Sequence, residues 1–398
     1  MCHILDHPDT SFDAGTAPDH SIIDRATALV PLIRESADET ARQGRVIPEA
    51  VDALDAASMY AQLVPARLGG QGTNMRTLME SVAEIARGDG GTGWAVALSN
   101  AATWILGNFP DDAQREIFVE PNLRACVVLA PAKSARRVDG GYVVSGRWPY
   151  SSGSFAAHWA SFGLPLEDGG LGMGTVPVGE FTIERSWDVL GMKGSGSDTV
   201  VINEVFVPDR CIVSMADILA SKYPTSHTEE QTGRMTFLPT WGLPLTAVQV
   251  GLARHAREIS LERIPNRSFT RTAYLPARNS PTHQVAVAEA IQRFDMAEML
   301  LQRASFALDD TAAKGIPMTE LEIARTIMDI GTVSELVHEG LDRLMNANGS
   351  SAFTESSLLG RIWRDSEIAY RHVLLMPSLS KETYGKALLG ADKPGQSA

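Results

Sequence analysis

The chain has 398 residues, 44% of them hydrophobic and 21% charged, and 35 basic against 48 acidic side chains leave a formal charge of −13. That length suggests two or three packed units with ample core. The composition is that of a folded chain, and the acidic balance argues against nucleic acid as a partner, because phosphate binding needs a cationic surface. The scattered Cys2, Cys126 and Cys211 offer neither a disulfide framework nor a zinc site. No apolar run approaches the roughly 20 residues of a membrane helix. A soluble cytoplasmic protein without metal or membrane partner is expected.

Residues 1–20 are polar, carry Pro8 and Pro18, and lack the basic-then-apolar order of a signal peptide, so a mobile tail is expected there. Over 21–122 the spacing is helical: Ala28, Leu29, Leu32 and Ile33, then Val51, Leu54 and Ala57, then Leu78, Val82, Ile85 and Ala86. A further apolar stretch, Trp94 to Leu106, stops before Phe109-Pro110. From 123 to 215 short β-branched runs punctuated by glycine predict a β unit, with Asp139-Gly140-Gly141 as a turn. The aperiodic stretch 216–240 is long enough to be a lid or substrate loop. Helical spacing returns over 241–392, broken at 266–281 and 346–356, and 393–398 form a short tail. No internal repeat interrupts this order.

Five stretches add to the α, β, α order: Leu63-Val-Pro-Ala-Arg-Leu-Gly-Gly, Gly146-Arg-Trp-Pro-Tyr-Ser-Ser-Gly-Ser, Leu190-Gly-Met-Lys-Gly-Ser-Gly-Ser, Val205-Phe-Val-Pro and Arg361-Ile-Trp-Arg-Asp. Together they resemble the acyl-CoA dehydrogenase superfold over about 25–390, and within it the two-component, reduced-flavin-dependent (group D) monooxygenases. The resemblance implies an α+β fold with an N-terminal helical domain, a central β-barrel domain and a C-terminal four-helix bundle enclosing a flavin.

The same resemblance assigns roles. Ser152 falls at the hydroxyl that contacts flavin N5, and Tyr150 where the dehydrogenases often carry tryptophan. Ser151 is the competing hydroxyl, facing the other way if the strand continues. On residues alone, two serines ending a strand are a turn. Val373 stands where a dehydrogenase glutamate would, and valine cannot accept a proton. His372 beside it matches a histidine near the flavin C4a–N5 edge, where imidazole acts as hydrogen-bond partner or base; on residues alone it caps or packs in the final helix. Glu335 and Glu339 are alternative bases, or the solvated face of a helix.

Arg263, Arg267, Arg271 and Arg278 fall in the loop that reaches the flavin phosphates, with Arg267 and Arg271 favoured; they read equally as a surface or inter-subunit patch. Asn348-Gly-Ser350-Ser resembles the glycine loop at the other end of the cofactor and lacks its double glycine. Trp94, Asn100, Phe237 and Trp241, with Trp104, form the expected substrate wall; Asn100 alone could satisfy a helix end, and aromatics are more often core. His158 is a weaker candidate. No Gly-x-Gly-x-x-Gly follows a strand, which argues against a built-in nicotinamide site.

The implied activity is oxygenation of an electron-rich aromatic small molecule by O₂ through a C4a-hydroperoxyflavin. FAD, bound as FADH2 (FMN is the alternative), would come from a separate NAD(P)H:flavin reductase, and the protein would assemble as a homotetramer or homodimer. The alternatives are an acyl-CoA dehydrogenase with a relocated base, an N- or S-oxygenase of the same fold, and a non-enzymatic flavin-binding protein.

Overall fold

A computed structural model describes residues 17–120, 122–131, 134–267 and 276–391. The expected tail residues 1–16 and 393–398 lie outside them, as does Arg271. Ala17 to Asp19 lead directly into α1 (His20–Gln43), where the Asp19 carboxylate accepts from Ser21 N at 2.9 Å and so caps the first turn. The helices α2 (Pro48–Ala56), α3 (Met75–Gly88), α4 (Gly90–Leu106) and α5 (Asp111–Ile117) follow. Every residue of α4 is buried, the behaviour of a helix apolar on all sides. It lies close against α3 because Gly93 presents no Cβ to Ala86, whose own Cβ would be 2.6 Å away.

Eight strands come next: β1 (Ala125–Pro131), β2 (Ser134–Val138), β3 (Gly141–Ser151), β4 (Trp159–Pro165), β5 (Leu171–Pro177), β6 (Thr182–Glu184), β7 (Asp198–Pro208) and β8 (Ile212–Ser214). The expected β-barrel is not what they form. They make two four-stranded sheets, ordered β1-β4-β5-β8 and β2-β3-β7-β6, with no ladder closing one onto the other among the described residues. Bulky side chains fill the space between: the buried Trp148 ring lies 4.7 Å from Phe162, and its indole N–H donates to the Ala130 carbonyl at 3.1 Å. Rings stacked between two faces hold sheets about 10 Å apart, beyond backbone hydrogen-bond reach.

The segment expected as a lid holds α6 (Met215–Leu219) and is pinned along its length. Arg67 Nε donates to Glu230 at 2.8 Å, Ser226 N to Asp111 at 3.1 Å, and Trp104 Nε1 to the Thr232 carbonyl at 2.7 Å. Where a four-helix bundle was expected, five C-terminal helices stand among the described residues: α7 (Phe237–Arg263), α8 (Pro281–Lys314), α9 (Glu320–Asn348), α10 (Leu358–Tyr370) and α11 (Pro377–Leu389). The α9 helix packs on α7, α8 and α11, while α7 packs on α3. Pro239 in the first turn of α7 needs no amide hydrogen there, so the helix starts earlier than the aperiodic sequence suggested. No helix among the described residues is long and apolar enough to cross a membrane.

Candidate active site

The end of β3 is shaped by a bulge. Trp148 pairs with Val200 and Ser151 with Asp198, so β3 carries one residue more than β7 over this step. Tyr150 absorbs it at φ 67°, a left-handed conformation uncommon for a residue with a side chain. The residue is 69% exposed, and its ring meets Trp187 edge-on at 5.8 Å. Trp187 is fixed from behind, its backbone N–H donating to Asp198 at 2.9 Å and its indole N–H to the Met192 carbonyl at 3.0 Å.

The bulge also separates the two serines. Ser151 Oγ donates to the Trp148 carbonyl at 2.8 Å, a bond within its own strand. The buried Ser152 Oγ instead lies 2.7 Å from Ser197 Oγ, which lies 2.7 Å from Ser195 Oγ. Each hydroxyl can donate one hydrogen bond and accept others, so three in a row form a chain that can reverse its direction. Gly153 N donates to the Ser195 carbonyl at 2.9 Å and keeps the two loops in register. Ser195 and Ser197 were not singled out from sequence, although their stretch was; their alternation after Gly194 was the available signal.

One turn of α4 gathers the remaining parts. Gly91 lies against the 190–197 loop, where a Cβ would come within 2.9 Å of Gly194 Cα and Ser195 N. Ala95 lies beside Gly153, and Trp94 meets the His372 ring edge-on at 5.4 Å. His372 follows the C-cap of α10, its backbone N–H donating to the Ala369 carbonyl at 2.9 Å. Burial pushes its imidazole down to about 4, so the ring is neutral near pH 7. Leu374 N donates to Nδ1 at 3.4 Å, which leaves Nε2 as the nitrogen bearing hydrogen.

Val373 is exposed. The two glutamates considered as relocated bases are occupied elsewhere: Glu335 accepts from Lys381 Nζ at 2.7 Å and Glu339 from Arg293 Nε at 2.8 Å. Asn100, expected in a substrate wall, has its side chain engaged by backbone. It is fully buried, its Oδ1 accepting from Gln62 N at 3.0 Å and its Nδ2 donating to the Met59 and Val96 carbonyls at 2.7 and 3.0 Å. Both amide hydrogens are therefore spent on backbone. Phe237 and Trp241 are buried with ring centroids 5.1 Å apart, and Trp104 stacks on Phe237 at 6.2 Å. An apolar cavity of about 160 Å³ opens beside Val373 and Leu374, lined also by Leu238, Gly242 and Ile330.

Arg267 and the 348–351 turn come together. The guanidinium donates to the Asn348 carbonyl and, at 2.7 Å, to Ser351 Oγ, with Ser350 exposed between them. Arg263 and Arg278 are exposed. His158 is set apart, its Nε2 2.8 Å from Arg124 NH2. His338, Asp342 and Glu367 converge within 4.8 Å. They are already engaged: Glu367 with His338 Nδ1 at 2.6 Å and Arg371 at 2.6 Å, Asp342 with the Trp363 indole at 2.8 Å.

Residues 27–125 match the family described as acyl-CoA dehydrogenase, N-terminal domain, and residues 243–377 the acyl-CoA dehydrogenase, C-terminal domain. The chain is 29% identical to the FADH(2)-dependent resorcinol hydroxylase, oxygenase component, of Rhizobium sp. (strain MTP-10005), covering 96% of this chain and 97% of that protein. It is 30% identical to the flavin-dependent monooxygenase, oxygenase subunit HsaA, of Mycobacterium tuberculosis, covering 93% and 95%. The structure of XiaF from Streptomyces sp. in complex with FADH2 and glycerol superposes with a TM-score of 0.89 at 28% identity, over 95% of this chain and 97% of that one.

Proposed function

The chain belongs to the flavin-dependent monooxygenases built on the acyl-CoA dehydrogenase fold, and we propose that it is the oxygenase component of a two-component system that hydroxylates an electron-rich aromatic ring. The balance is ArH + O₂ + FADH2 → ArOH + H₂O + FAD, with FADH2 supplied by a separate NAD(P)H:flavin reductase. The observation that carries this reading is the β3 bulge, which leaves Tyr150 in the open two residues before the buried Ser152 hydroxyl. Tyr150 has 69% of its surface uncovered and a left-handed backbone. A planar tricyclic ring fits that arrangement, because it would cover the exposed tyrosine and offer hydrogen-bonding edge atoms to the serine chain.

Bound reduced flavin supplies the two electrons that activate dioxygen, chemistry no side chain here provides. The chain's own residues bind, orient and exclude water. Tyr150 and Trp187 would hold the flavin ring, and Ser152, backed by Ser197 and Ser195, would offer it a hydrogen bond. The neutral His372 presents Nε2–H as a donor without adding a charge. Trp94, Phe237 and Trp241 form the apolar wall that keeps the reacting centre dry. Asn100 holds α4 to the Met59–Gln62 backbone and takes no part in substrate binding. Arg267, Arg271 and Ser350 serve the phosphate end of the cofactor. Exposed Val285, Met296 and Met299 on α8 support assembly into a homodimer or homotetramer, since apolar side chains gathered on one helix favour burial against a second copy.

The test supplies FADH2 from a free reductase, ¹⁸O₂ and resorcinol as the probe, with phenol and indole in parallel. The expected result is one ¹⁸O atom in a hydroxylated product. The reading is overturned if no probe acquires ¹⁸O while octanoyl-CoA alone bleaches the oxidised flavoprotein anaerobically.

A further inference from the structure

Ser195 and Ser197 sit on one loop and His372 follows one helix, and the Asp365 side chain joins that loop to that helix. Asp365, on α10, accepts from Met192 N at 2.6 Å. Met192 is itself left-handed at φ 54° and buried, a strained residue of the kind that persists only where its surroundings hold it. The loop runs backbone to backbone along α10: a Cβ on Gly191 would lie 2.2 Å from the Arg364 carbonyl oxygen. Asp365 Oδ2 also reaches α4, where a Cβ on Gly90 would lie 3.1 Å from it.

A second buried carboxyl stands beside it. Asp89 caps α4, its Oδ2 accepting from Thr92 N and Thr92 Oγ1, both at 2.8 Å. A Cβ on Gly194 would lie 3.4 Å from that oxygen and 2.4 Å from Thr40 Cγ2 on α1. The two acids thus sit where α1, α4, α10 and the 190–197 loop meet. We propose that Asp365 is a positioning residue, which with Asp89 locks the loop carrying the serine chain to the helix carrying His372. This rests on the reading of Ser152 and His372 as the flavin-edge groups.

The charges around the pair decide its protonation. Burial raises both carboxyls, and each is raised further by a neighbouring acid: Asp365 by Asp89, Asp89 by Asp38 of α1. Arg361 opposes this at both sites, and Arg364 does so at Asp365. Asp365 is pushed up to about 7. Two adjacent buried carboxyls retain a proton because both cannot ionise there. The folded chain therefore holds a proton that the unfolded chain releases near its ordinary value of 3.8. The pair's contribution to stability is complete below that value and is lost as pH rises towards about 7.

The experiment compares the full-length protein with Asp365→Asn and Asp365→Ala by hydrogen exchange of the 190–198 segment, by urea unfolding between pH 4 and 7.5, and by peroxide released per FADH2 oxidised. Asn keeps an acceptor for Met192 N and, like the protonated acid, adds no charge beside Asp89. Asp365→Asn is expected to keep wild-type protection and peroxide yield within twofold, and its stability relative to wild type is expected to rise steadily from pH 4 to pH 7. Asp365→Ala is expected to raise exchange of 190–198 by about tenfold and peroxide release severalfold. Unchanged exchange in Asp365→Ala overturns the proposal, as does Asp365→Asn behaving like Ala. Exchange and unfolding read the lock without turnover, so an oxygenation failure in the wild type would strike the functional reading alone.

Discussion

Trp94 and His372 meet with ring centroids 5.4 Å apart and planes at 74°, and this contact ties the first turns of α4 to the segment after α10. The indole meets the imidazole edge-on, and burial keeps that ring neutral. Removing the imidazole leaves the fold's larger contacts in place. His372→Ala is expected to bind FAD within threefold of wild type and to divert most consumed oxygen into free peroxide. Product and H₂O₂ measured per NADH consumed check this; unchanged coupling removes His372 from the mechanism.

The low imidazole value has a stability consequence. The folded ring holds off protonation until about pH 4, whereas the ordinary value is 6.5. The unfolded chain therefore takes up the proton first, and stability contributed by the neutral ring is lost as pH falls from 6.5 towards 4. The shift corresponds to at most about 3–4 kcal/mol. His372→Gln is expected to lose less stability than wild type between pH 7 and 4.5 in urea unfolding.

Ser197 touches Ser152 and Ser195 at 2.7 Å each. Ser197→Ala leaves Ser152 without its buried partner, a loss of about 1 kcal/mol. FAD binding is expected to weaken about fivefold, read by flavin fluorescence, with Ser151→Ala as a milder control because that hydroxyl bonds within its own strand.

Tyr150→Gly separates backbone strain from ring contact. Glycine accepts φ 67° without the ~1–2 kcal/mol that a left-handed conformation costs other residues. The Tm of the flavin-free protein is expected not to fall, while FAD affinity drops at least tenfold. Unchanged affinity would take Tyr150 out of the flavin site.

Asn100→Ala distinguishes support from recognition. It strips Gln62 N and the Met59 carbonyl of a partner in a fully buried place, costing about 2–4 kcal/mol. The denaturant midpoint is expected to fall accordingly, with KM for whichever aromatic probe is hydroxylated within twofold of wild type.

Much of the frame was legible because it follows from local chemistry. Apolar spacing marked the helices, glycine-punctuated β-branched runs marked the sheet region, and the 146–154 and 190–197 stretches were both conspicuous. Their coupling was not. Strand alternation separates Ser151 from Ser152 only if the strand continues regularly, and the bulge at Tyr150 removes that condition. The β-barrel expectation failed for a related reason: alternation predicts which faces are buried, but not whether edges meet or rings such as Trp148 and Phe162 hold two sheets apart.

Sequence by itself determined where helical and β-branched spacing lies, that serines and a histidine stand in conspicuous stretches, and that Trp94 to Leu106 is apolar. Tertiary structure alone decided which serine joins the hydroxyl chain, that Asn100 is spent on backbone, and that Asp89 and Asp365 share one buried corner. Periodicity reports how a segment relates to its own neighbours within a few residues. Hydrogen-bond partners and burial between distant residues depend on how whole elements dock, and no short stretch encodes that.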